Sequence, residues 1–246
     1  MIRQYLKEFN KISLSQMDNV SLMRRIDTKY LLTQNDLLKI LPSLKEDYKI
    51  LEINGNRLMS YATLYFDSVL KNCFIDHHNG KSNRFKVRIR NYIESNLSFL
   101  EIKRKNNLGI TKKERQEIES FQDYFSNMSI KFIQKNKIDP KKLEPTLYNN
   151  FKRLTLVNKR SAERVTIDLN LSYKIENEEK KFDKIVIIEV KQDPKLKQTK
   201  INKLLKSNSI LPTNFSKYCI GVTNIFSDVK KNRFKELNLK LNKLNI

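Results

Sequence analysis

Basic and apolar residues alternate along residues 84–92, where the even positions from Arg84 to Arg90 are basic and the odd positions are mostly apolar. Side chains of a β-strand point alternately to its two faces, so this pattern predicts a strand with one cationic face and one apolar face. Residues 100–105 repeat the alternation and predict a neighbouring strand. For any single strand, a charged face that is simply exposed to water is the simpler interpretation.

Three further segments carry the same design. Residues 25–29 and 164–170 place polar side chains at every second position, and residues 185–191 end an apolar run with Glu189 and Lys191 on one face. Strands of this kind predict an antiparallel barrel with charged groups on its inside. Like charges held close together repel one another unless an anion lies between them, so the pattern predicts a polyanionic ligand.

Local turn signals predict a hairpin and a loop near the middle of the chain. Residues 48–53 and 57–67 are predicted to pair, because the Asn54-Gly55 step between them is typical of a tight turn. Residues 76–80 are predicted to form a polar loop. It contains two adjacent His residues, which would point apart on an extended chain and are therefore not expected to bind a metal together.

Apolar residues at helical spacing predict helices around the sheet. One helix is expected to start at a capping box on Thr33, a long helical region is expected over residues 111–133, and a short helix is expected over residues 196–205. The basic helix predicted over residues 226–244 caps the barrel or docks on a partner, and capping is the simpler interpretation.

Composition favours one domain over residues 1–246. The 246 residues include only 4 Gly and 5 Pro and contain no linker-like stretch. The predicted class is α+β: an antiparallel β-barrel, or tunnel, of about eight strands with flanking helices and a C-terminal capping helix.

Charge narrows the possible ligands. The chain has 49 Lys and Arg against 27 Asp and Glu, a formal charge of +22, which would attract nucleic acid, an anionic membrane or a phosphate-rich ligand. Only Cys73 and Cys219 are present and no apolar run is long enough to span a membrane, which favours a soluble protein of the cytoplasm.

Eight motifs in order resemble the VTC domain, the catalytic domain of polyphosphate polymerases in the triphosphate tunnel metalloenzyme (CYTH-like) superfamily. The resemblance spans most of the chain. Its motifs are Arg25-x-Asp27-x-Lys29-Tyr30, Tyr61-x-Thr63-x-Tyr65-Phe66-Asp67, Arg84-x-Lys86-x-Arg88-x-Arg90-x-Tyr92, Glu101-x-Lys103, Thr111-Lys112-Lys113, Arg164-x-Thr166-x-Asp168-x-Asn170, Glu189-x-Lys191 and Phe215-Ser216-Lys217-Tyr218.

The resemblance implies an enzyme that passes the γ-phosphate of ATP to a growing polyphosphate chain inside a cationic tunnel, with Mn²⁺ or Mg²⁺ as cofactor. The residues it implies for phosphate contact are Lys29, Lys86, Arg88, Arg90, Lys103, Arg153, Arg164, Lys191 and Lys217. The residues it implies around the nucleotide are Arg25, Tyr30, Tyr65, Tyr92 and Ser216, although packing is the simpler interpretation of the three tyrosines. Glu189 is the first metal candidate and Glu101 the second, and Asp168 is either a third or the partner of a neighbouring Arg. The alternative for Glu189 is a salt bridge that balances the charge of the tunnel.

One motif departs from the wider superfamily, whose hydrolases and cyclases usually begin with Glu-x-Glu-x-Lys. This chain has Arg25 and Asp27 at the two acidic positions before Lys29. Fewer metal ligands and more positive charge favour holding a long phosphate chain over hydrolysing a short one.

Two alternatives remain open at this point. One is an inorganic or nucleoside triphosphatase of the same fold. The other is a non-enzymatic binder of RNA or polyphosphate, which predicts steep salt dependence and no metal requirement. The expected partners are ATP and polyphosphate or pyrophosphate, without DNA, and the sequence leaves the oligomeric state open.

Overall fold

The computed structural model describes residues 2–18, 25–196 and 198–245, which form a mostly antiparallel sheet with helices on its outer face and at one end. The strands are β1 (Asn10–Ile12), β2 (Ile26–Thr33), β3 (Tyr48–Leu51), β4 (Met59–Asp67), β5 (Arg84–Tyr92), β6 (Leu97–Lys105), β7 (Thr111–Ile118), β8 (Glu144–Asn158), β9 (Glu163–Ile175), β10 (Glu178–Phe182) and β11 (Ile185–Gln192). The helices are α1 (Ile2–Lys7), α2 (Leu14–Asp18), α3 (Gln34–Ile40), α4 (Asn72–His78), α5 (Asn127–Lys135), α6 (Lys200–Ser207), α7 (Lys217–Ile225) and α8 (Lys235–Leu244).

Eight strands form the main path of the sheet, in the order β2-β11-β9-β8-β4-β5-β6-β7. Strands β2 and β7 are its two ends and do not pair with each other within the described residues. The predicted α+β class and barrel-like antiparallel sheet are therefore confirmed. The ring of hydrogen bonds expected of a closed barrel is not completed, so an open seam separates β2 from β7.

Strand register brings the alternating charges onto one surface, here called the inner face. On β5 and β6, Lys86 lies opposite Lys103 and Arg88 lies opposite Glu101. On β6 and β7, Lys103 lies opposite Lys113. Because directly opposite residues of an antiparallel pair point to the same side, the charged positions that the sequence separated by alternation are collected on this face.

The outer face is apolar and covered by helices. Helices α1, α3 and α6 pack on the outer side of β2, β8, β9 and β11, and α5 packs on β4, β5 and β6. The predicted capping box is confirmed: Thr33 Oγ1 accepts from the Asp36 amide at 3.2 Å, and Asp36 Oδ2 accepts from the Thr33 amide at 3.1 Å. The apolar face of each strand therefore forms the core between the sheet and its helices.

A β-bulge changes the character of the inner face along β9. Asn170 has φ 52°, and the β8–β9 register shifts between Asn150 and Lys152. The extra residue lets Leu171 and Tyr173 join the inner face that Asp168 occupies on the other side of the bulge. The inner face is therefore charged toward one end and apolar toward the other.

Helices α4, α7 and α8 close the apolar end around residues such as Phe182 and Phe234. Asp67, fully buried, joins two of these helices. Its carboxylate accepts from the amides of Cys73 and Phe74 at the start of α4, at 2.8 and 3.0 Å, and from the Tyr218 hydroxyl on α7 at 2.5 Å. The helix predicted over residues 226–244 is shorter in the structure, because α8 begins only at Lys235. Its predicted capping role agrees with the packing of α8 in this cluster.

The hairpin predicted between residues 48–53 and 57–67 is wrong. Strands β3 and β4 do not pair with each other but follow one another along the same edge of the long strand β8. The turn closes only one isolated bridge, between Ile53 and Asn56. The Asn-Gly signal is local and does not specify whether the flanking strands pair or continue along a third strand.

The loop predicted over residues 76–80 is also wrong in most of its length, because α4 runs to His78. The carboxylate of Asp67 caps the start of this helix. His78 is buried, with its Nε2 2.6 Å from Asn232 Oδ1.

The long helix predicted over residues 111–133 is replaced by a strand and a shorter helix. Residues 111–118 form β7, which continues the sheet beyond β6, and α5 starts only at Asn127. Strand β7 is an edge strand with polar residues on both faces, so its alternation is weak and the apolar residues after it suggested helical spacing. The short helix predicted over 196–205 is present as α6, but it begins at Lys200 and ends at Ser207, and residue 197 lies outside the described residues.

Gly221 on α7 sets how closely this helix approaches the sheet. A Cβ at this position would lie 2.5 Å from Tyr173 Cδ1 and would also overlap Leu147. We expect Gly221→Ala to lower the free energy of unfolding by about 1–3 kcal/mol, because overpacking outweighs the gain of about 1 kcal/mol in helix propensity. Urea denaturation measures this.

The matched control removes one of the two obstacles, the Leu147 side chain, and keeps Tyr173. In a double-mutant cycle, Gly221→Ala should lower the free energy of unfolding less in a Leu147→Ala background than in the wild type. An unchanged unfolding free energy for Gly221→Ala itself would contradict the close approach.

Candidate functional site

The inner face collects all nine residues predicted to contact phosphate, together with three acidic residues predicted to bind metal. The cations are Lys29 on β2, Lys86, Arg88 and Arg90 on β5, Lys103 on β6, Arg153 on β8, Arg164 on β9, Lys191 on β11 and Lys217 at the start of α7. The acids Glu101, Asp168 and Glu189 lie on β6, β9 and β11. Each acid is shared by two cations.

Asp168 holds Arg153 and Lys217 together. Arg153 donates to both carboxylate oxygens, at 2.5 and 2.8 Å, and the Lys217 ammonium donates to Oδ2. The Asp168 side chain is 2% exposed. Burial alone would raise its pKa, but the Arg153 and Lys217 charges outweigh burial and lower the pKa to about 2.

Glu101 is the second shared acid. Arg88 donates from Nε and Nη2 to Oε2 at 2.7 Å, and the Lys113 ammonium donates to Oε1. Its side chain is also almost fully buried. Burial opposes ionisation, but the charges of Arg88, Arg90 and Lys113 hold the pKa of Glu101 well below its usual range.

Glu189 differs from the other two acids because lysines alone hold it and water reaches it more easily. Lys29 lies 3.3 Å from Oε1 and Lys191 lies 3.0 Å from Oε2. Lys191 also bridges to Asp27 Oδ2 at 2.8 Å. The side chain is 17% exposed, and despite burial the lysine charges lower its pKa.

Four inner-face cations have no ion pair with any residue that the structure describes: Lys86, Arg90, Lys103 and Arg164. Lys86 Nζ donates to Ser216 Oγ at 2.7 Å, and Arg90, 6% exposed, has only Thr63 Oγ1 at 3.3 Å. The Nε of Arg164 is buried without a hydrogen-bond partner. Arg90 is buried, Lys86 and Arg164 are half-buried, and Lys103 is exposed. Charge that is withdrawn from water without a counter-ion is costly, so Arg90, Lys86 and Arg164 favour binding of an anion.

Aromatic rings contact the unpaired Arg90 and the paired Lys217. Tyr61 and Phe151 are stacked with centroids 5.0 Å apart, and the Arg90 guanidinium lies 5.5 Å from the Tyr61 centroid and 5.7 Å from that of Phe151. Lys217 Nζ lies 4.6 Å from the Phe151 centroid. The ring faces favour the charged form of Arg90 without neutralising it, so its positive charge remains available to a ligand.

The residues predicted to surround a nucleotide are spread over both faces. Tyr65 and Tyr92 are on the inner face and pack on Tyr218 and Tyr61 with centroids 4.9 and 5.0 Å apart. Ser216 caps α7 and accepts from Lys86. Tyr30 is packed in the outer core instead, with its hydroxyl 3.3 Å from Asn202 Oδ1.

The exposed Arg25 pairs with Asp27 at 3.1 Å, at the start of β2. It therefore lies at the margin of the site.

Lys113 is an inner-face residue that was not among the predicted site residues. The motif Thr111-Lys112-Lys113 is visible in the sequence, but a helix over residues 111–133 does not place Lys113 and Arg115 on one side of a strand. A strand over residues 111–118 that forms a hairpin with β6 does so, and it places Lys113 on the inner face.

No three His, Cys, Asp or Glu side chains in the described parts of the chain are grouped closely enough to hold a metal ion. A fully protein-built cage is therefore absent there. Mg²⁺ is commonly held by one or two carboxylates together with phosphate oxygens, and the Glu189 carboxylate, with Asp27 across Lys191, fits that kind of site. Each of the three acids is shared by two cations, but an Arg is one of the two at Glu101 and Asp168, whereas only lysines pair with Glu189.

The sequence profile of the VTC domain family matches residues 24–226. This chain belongs to the VTC domain family. The match includes all predicted site residues and excludes α1, α2 and α8. No curated protein is similar enough in sequence to count as a relative.

Solved structures share the fold of this VTC domain. A candidate adenylate cyclase from Bacillus halodurans is 12% identical, with a TM-score of 0.50 over 86% of this chain and 97% of its own. A candidate adenylyl cyclase from Hippeastrum, described as having a dominant triphosphatase activity, is 13% identical, with a TM-score of 0.51 over 83% and 98%. At this level of identity the likeness shows the fold alone.

Within the described residues, no helix is long and apolar enough to cross a membrane.

Asp168 should be required for stability in a pH-dependent way. We expect Asp168→Asn to lower the free energy of unfolding by about 3 kcal/mol at pH 7, because Arg153 and Lys217 lose their shared counter-ion. Since the folded pKa is depressed, the wild-type advantage is complete above the ordinary carboxyl pKa of about 4 and is lost as pH falls through about 2.

Urea denaturation at pH 7 and pH 3 measures the difference, with the exposed Asp228→Asn as the control. An equal difference at both pH values would contradict this account of Asp168.

Arg90 should act on anion binding more than on stability. We expect Arg90→Ala to weaken binding of metal-free triphosphate by about 2 kcal/mol, or about 30-fold, through loss of a charge-assisted contact. Because Arg90 has no carboxylate partner among the described residues, its removal should destabilise the protein less than Asp168→Asn. Calorimetric titration measures the affinity, with exposed Arg160→Ala as the control, and an unchanged affinity would remove Arg90 from the ligand site.

Proposed function

We propose that this VTC domain is an ATP-dependent polyphosphate polymerase that transfers the γ-phosphate of ATP to the end of a growing polyphosphate chain along its inner face. The observation that carries the proposal is the set of four unpaired cations, Lys86, Arg90, Lys103 and Arg164, beside three acids that are each already shared by two cations. A ligand with many closely spaced negative charges complements this arrangement. Membership of the VTC family supports the same substrate class.

The reaction needs little covalent chemistry from the protein. A terminal oxygen of the phosphate chain attacks the γ-phosphorus, the bond from that phosphorus to the β–γ bridging oxygen breaks, and ADP leaves. Such transfers depend on positioning the two phosphates in line and on stabilising charge on oxygen. Arg90 and Arg164 offer forked donors to phosphate oxygens, and Lys86 and Lys103 act as point charges.

The paired cations have a second role in this proposal. Asp168 fixes Arg153 and Lys217, and Glu101 fixes Arg88. Both pairs are buried and hydrogen-bonded, so these cations are pre-organised before the substrate arrives and lose little side-chain freedom when it binds.

Mn²⁺ or Mg²⁺ would be held by Glu189 together with phosphate oxygens, and it would supply further neutralisation of the transferring phosphoryl group. The lysines around Glu189 are long and flexible and can turn toward phosphate instead. This freedom distinguishes Glu189 from Glu101 and Asp168, whose carboxylates accept hydrogen bonds from Arg.

A triphosphatase is the second candidate function. It is favoured by the structural likeness to the Hippeastrum protein, whose described dominant activity is of that kind. The two activities share the ligand and differ in the acceptor, which is water in one case and a phosphate chain in the other.

One assay separates the candidates. The protein is incubated with ATP, Mn²⁺ and a short polyphosphate primer, and nucleotides and chain lengths are measured by chromatography and gel electrophoresis. A polymerase releases ADP and lengthens the primer, whereas a triphosphatase releases orthophosphate from tripolyphosphate without chain growth. If neither product forms across a range of metals and pH, the catalytic proposal fails and a non-enzymatic binder remains.

Glu189→Gln tests the metal role. We expect turnover to fall on the order of 100-fold, because a nearly isosteric amide is a poor ligand for a hard cation. Metal-free binding of triphosphate should be kept or become tighter, since the inner face loses one negative charge and Lys29 and Lys191 lose a partner.

Glu179→Gln, at an exposed ion pair on β10, is the matched control. If the Glu189→Gln variant turns over substrate at the wild-type rate at limiting Mn²⁺, Glu189 is not a metal ligand, and Glu101 becomes the candidate.

A further inference from the structure

A second basic surface lies outside the inner face, on the outer side of β6 and β7. It is a groove of about 280 Å³ between the edge of the sheet and the end of α5. The residues that line it are Ile102, Arg104, Lys112, Glu114, Lys135, Asn136 and Lys137. None of these residues is among the predicted phosphate or metal residues of the inner face.

The groove has more positive charge than its own acid can neutralise. Among the described residues, four cations line it and Glu114 is its single acid. Glu114 is already engaged by Lys112 at 2.7 Å and by Asn136 Nδ2 at 3.3 Å. Lys135 and Lys137 are exposed and have no ion pair within the described chain.

The backbone fixes one of these cations, Arg104, and sets the position of the chain at Lys137. Arg104 donates to the Asn136 carbonyl at 2.6 Å, which ties the end of α5 to β6. Lys137 follows with φ 55°, so the chain turns sharply directly after the helix. Ile102 is 1% exposed, so the other six lining residues contribute nearly all of the accessible surface of the groove.

The groove is continuous with the inner face across a single strand. Consecutive residues of β7 point to opposite faces, so Lys113 contacts Glu101 on the inner face while Lys112 and Glu114 line the groove. Strand β7 is also one margin of the open seam. A flexible anionic chain that leaves the inner face over this edge therefore meets cations on both sides of it.

We propose that this outer groove is a second binding site for the polyphosphate chain, which engages the part of a long chain that extends beyond the inner face. The inference rests on the proposed function, because the ligand it assigns is the substrate and product of that reaction. It predicts that affinity depends on chain length: triphosphate occupies the inner face alone, and a long chain gains the additional contacts with Lys135 and Lys137.

Paired charge reversals test the groove. The double variant Lys135→Glu/Lys137→Glu is compared with Lys203→Glu/Lys206→Glu on α6, which changes the formal charge equally and likewise includes a lysine in the last turn of a helix. Fluorescence anisotropy and calorimetry measure the affinities for a long polyphosphate and for triphosphate. We expect the groove variant to bind the long chain about tenfold more weakly with a shallower salt dependence, and to bind triphosphate as the wild type does.

The outcomes distinguish this inference from the proposed function. An unchanged long-chain affinity, or an equal loss in the α6 variant, overturns the groove and leaves the inner-face function standing. A selective loss of long-chain binding in a protein that makes no ADP supports the groove while the polymerase proposal fails. A single-stranded RNA of matched charge is the third ligand, and if it binds as tightly and is weakened equally by the groove variant, the assignment to polyphosphate is overturned.

Discussion

The repulsion among cations on the inner face is the constraint on which the rest of this structure depends. Nine predicted phosphate residues converge there, and only three buried or half-buried acids are placed among them. Each acid is shared by two cations, which balances part of the positive charge and fixes the positions of the paired side chains. The remaining imbalance falls on a few cations that no described carboxylate reaches, and it makes anion binding a stabilising event for the fold as well as a step of function.

The same constraint explains why the apolar end of the site is built so firmly. A cationic surface exposed at both ends would be fully hydrated and would bind anions weakly. The bulge at Asn170 turns the inner face apolar, and α7 fills that end with its first residues directed at the charges. The close packing of α7 on the sheet at Gly221 thus helps to place Ser216 and Lys217, at the start of the same helix, in the site.

The sequence predicted the inner face well because a period of two is a local property. Lys86, Arg88 and Arg90 needed only their own neighbours in the chain to be assigned to one side of a strand. Local signals failed where the answer depended on distant partners. The Asn54-Gly55 turn did not reveal that β3 and β4 both pair with β8, and β7 was missed because an edge strand carries polar residues on both faces.

The sequence could not predict which cations are paired and which are unpaired, because the pairing also depends on residues that are distant in the chain. Arg153 and Asp168 meet through the β8–β9 register, and Lys217 joins them from a helix 49 residues farther along the chain. The orphaned Nε of Arg164 likewise follows from which strands adjoin β9. The candidate residues could be named from motifs, but their charge balance required the tertiary structure.

Asp67 has a consequence for anyone who recombines parts of this fold. One buried carboxylate caps the start of α4 and binds the Tyr218 hydroxyl on α7, although these helices are separated by most of the sheet in the chain. The two helices are therefore a single module despite their distance in sequence. A chimaera that exchanges α7 without the β4–α4 corner would leave a buried carboxylate or a buried hydroxyl without its partner, so crossover points have to keep both segments from the same parent.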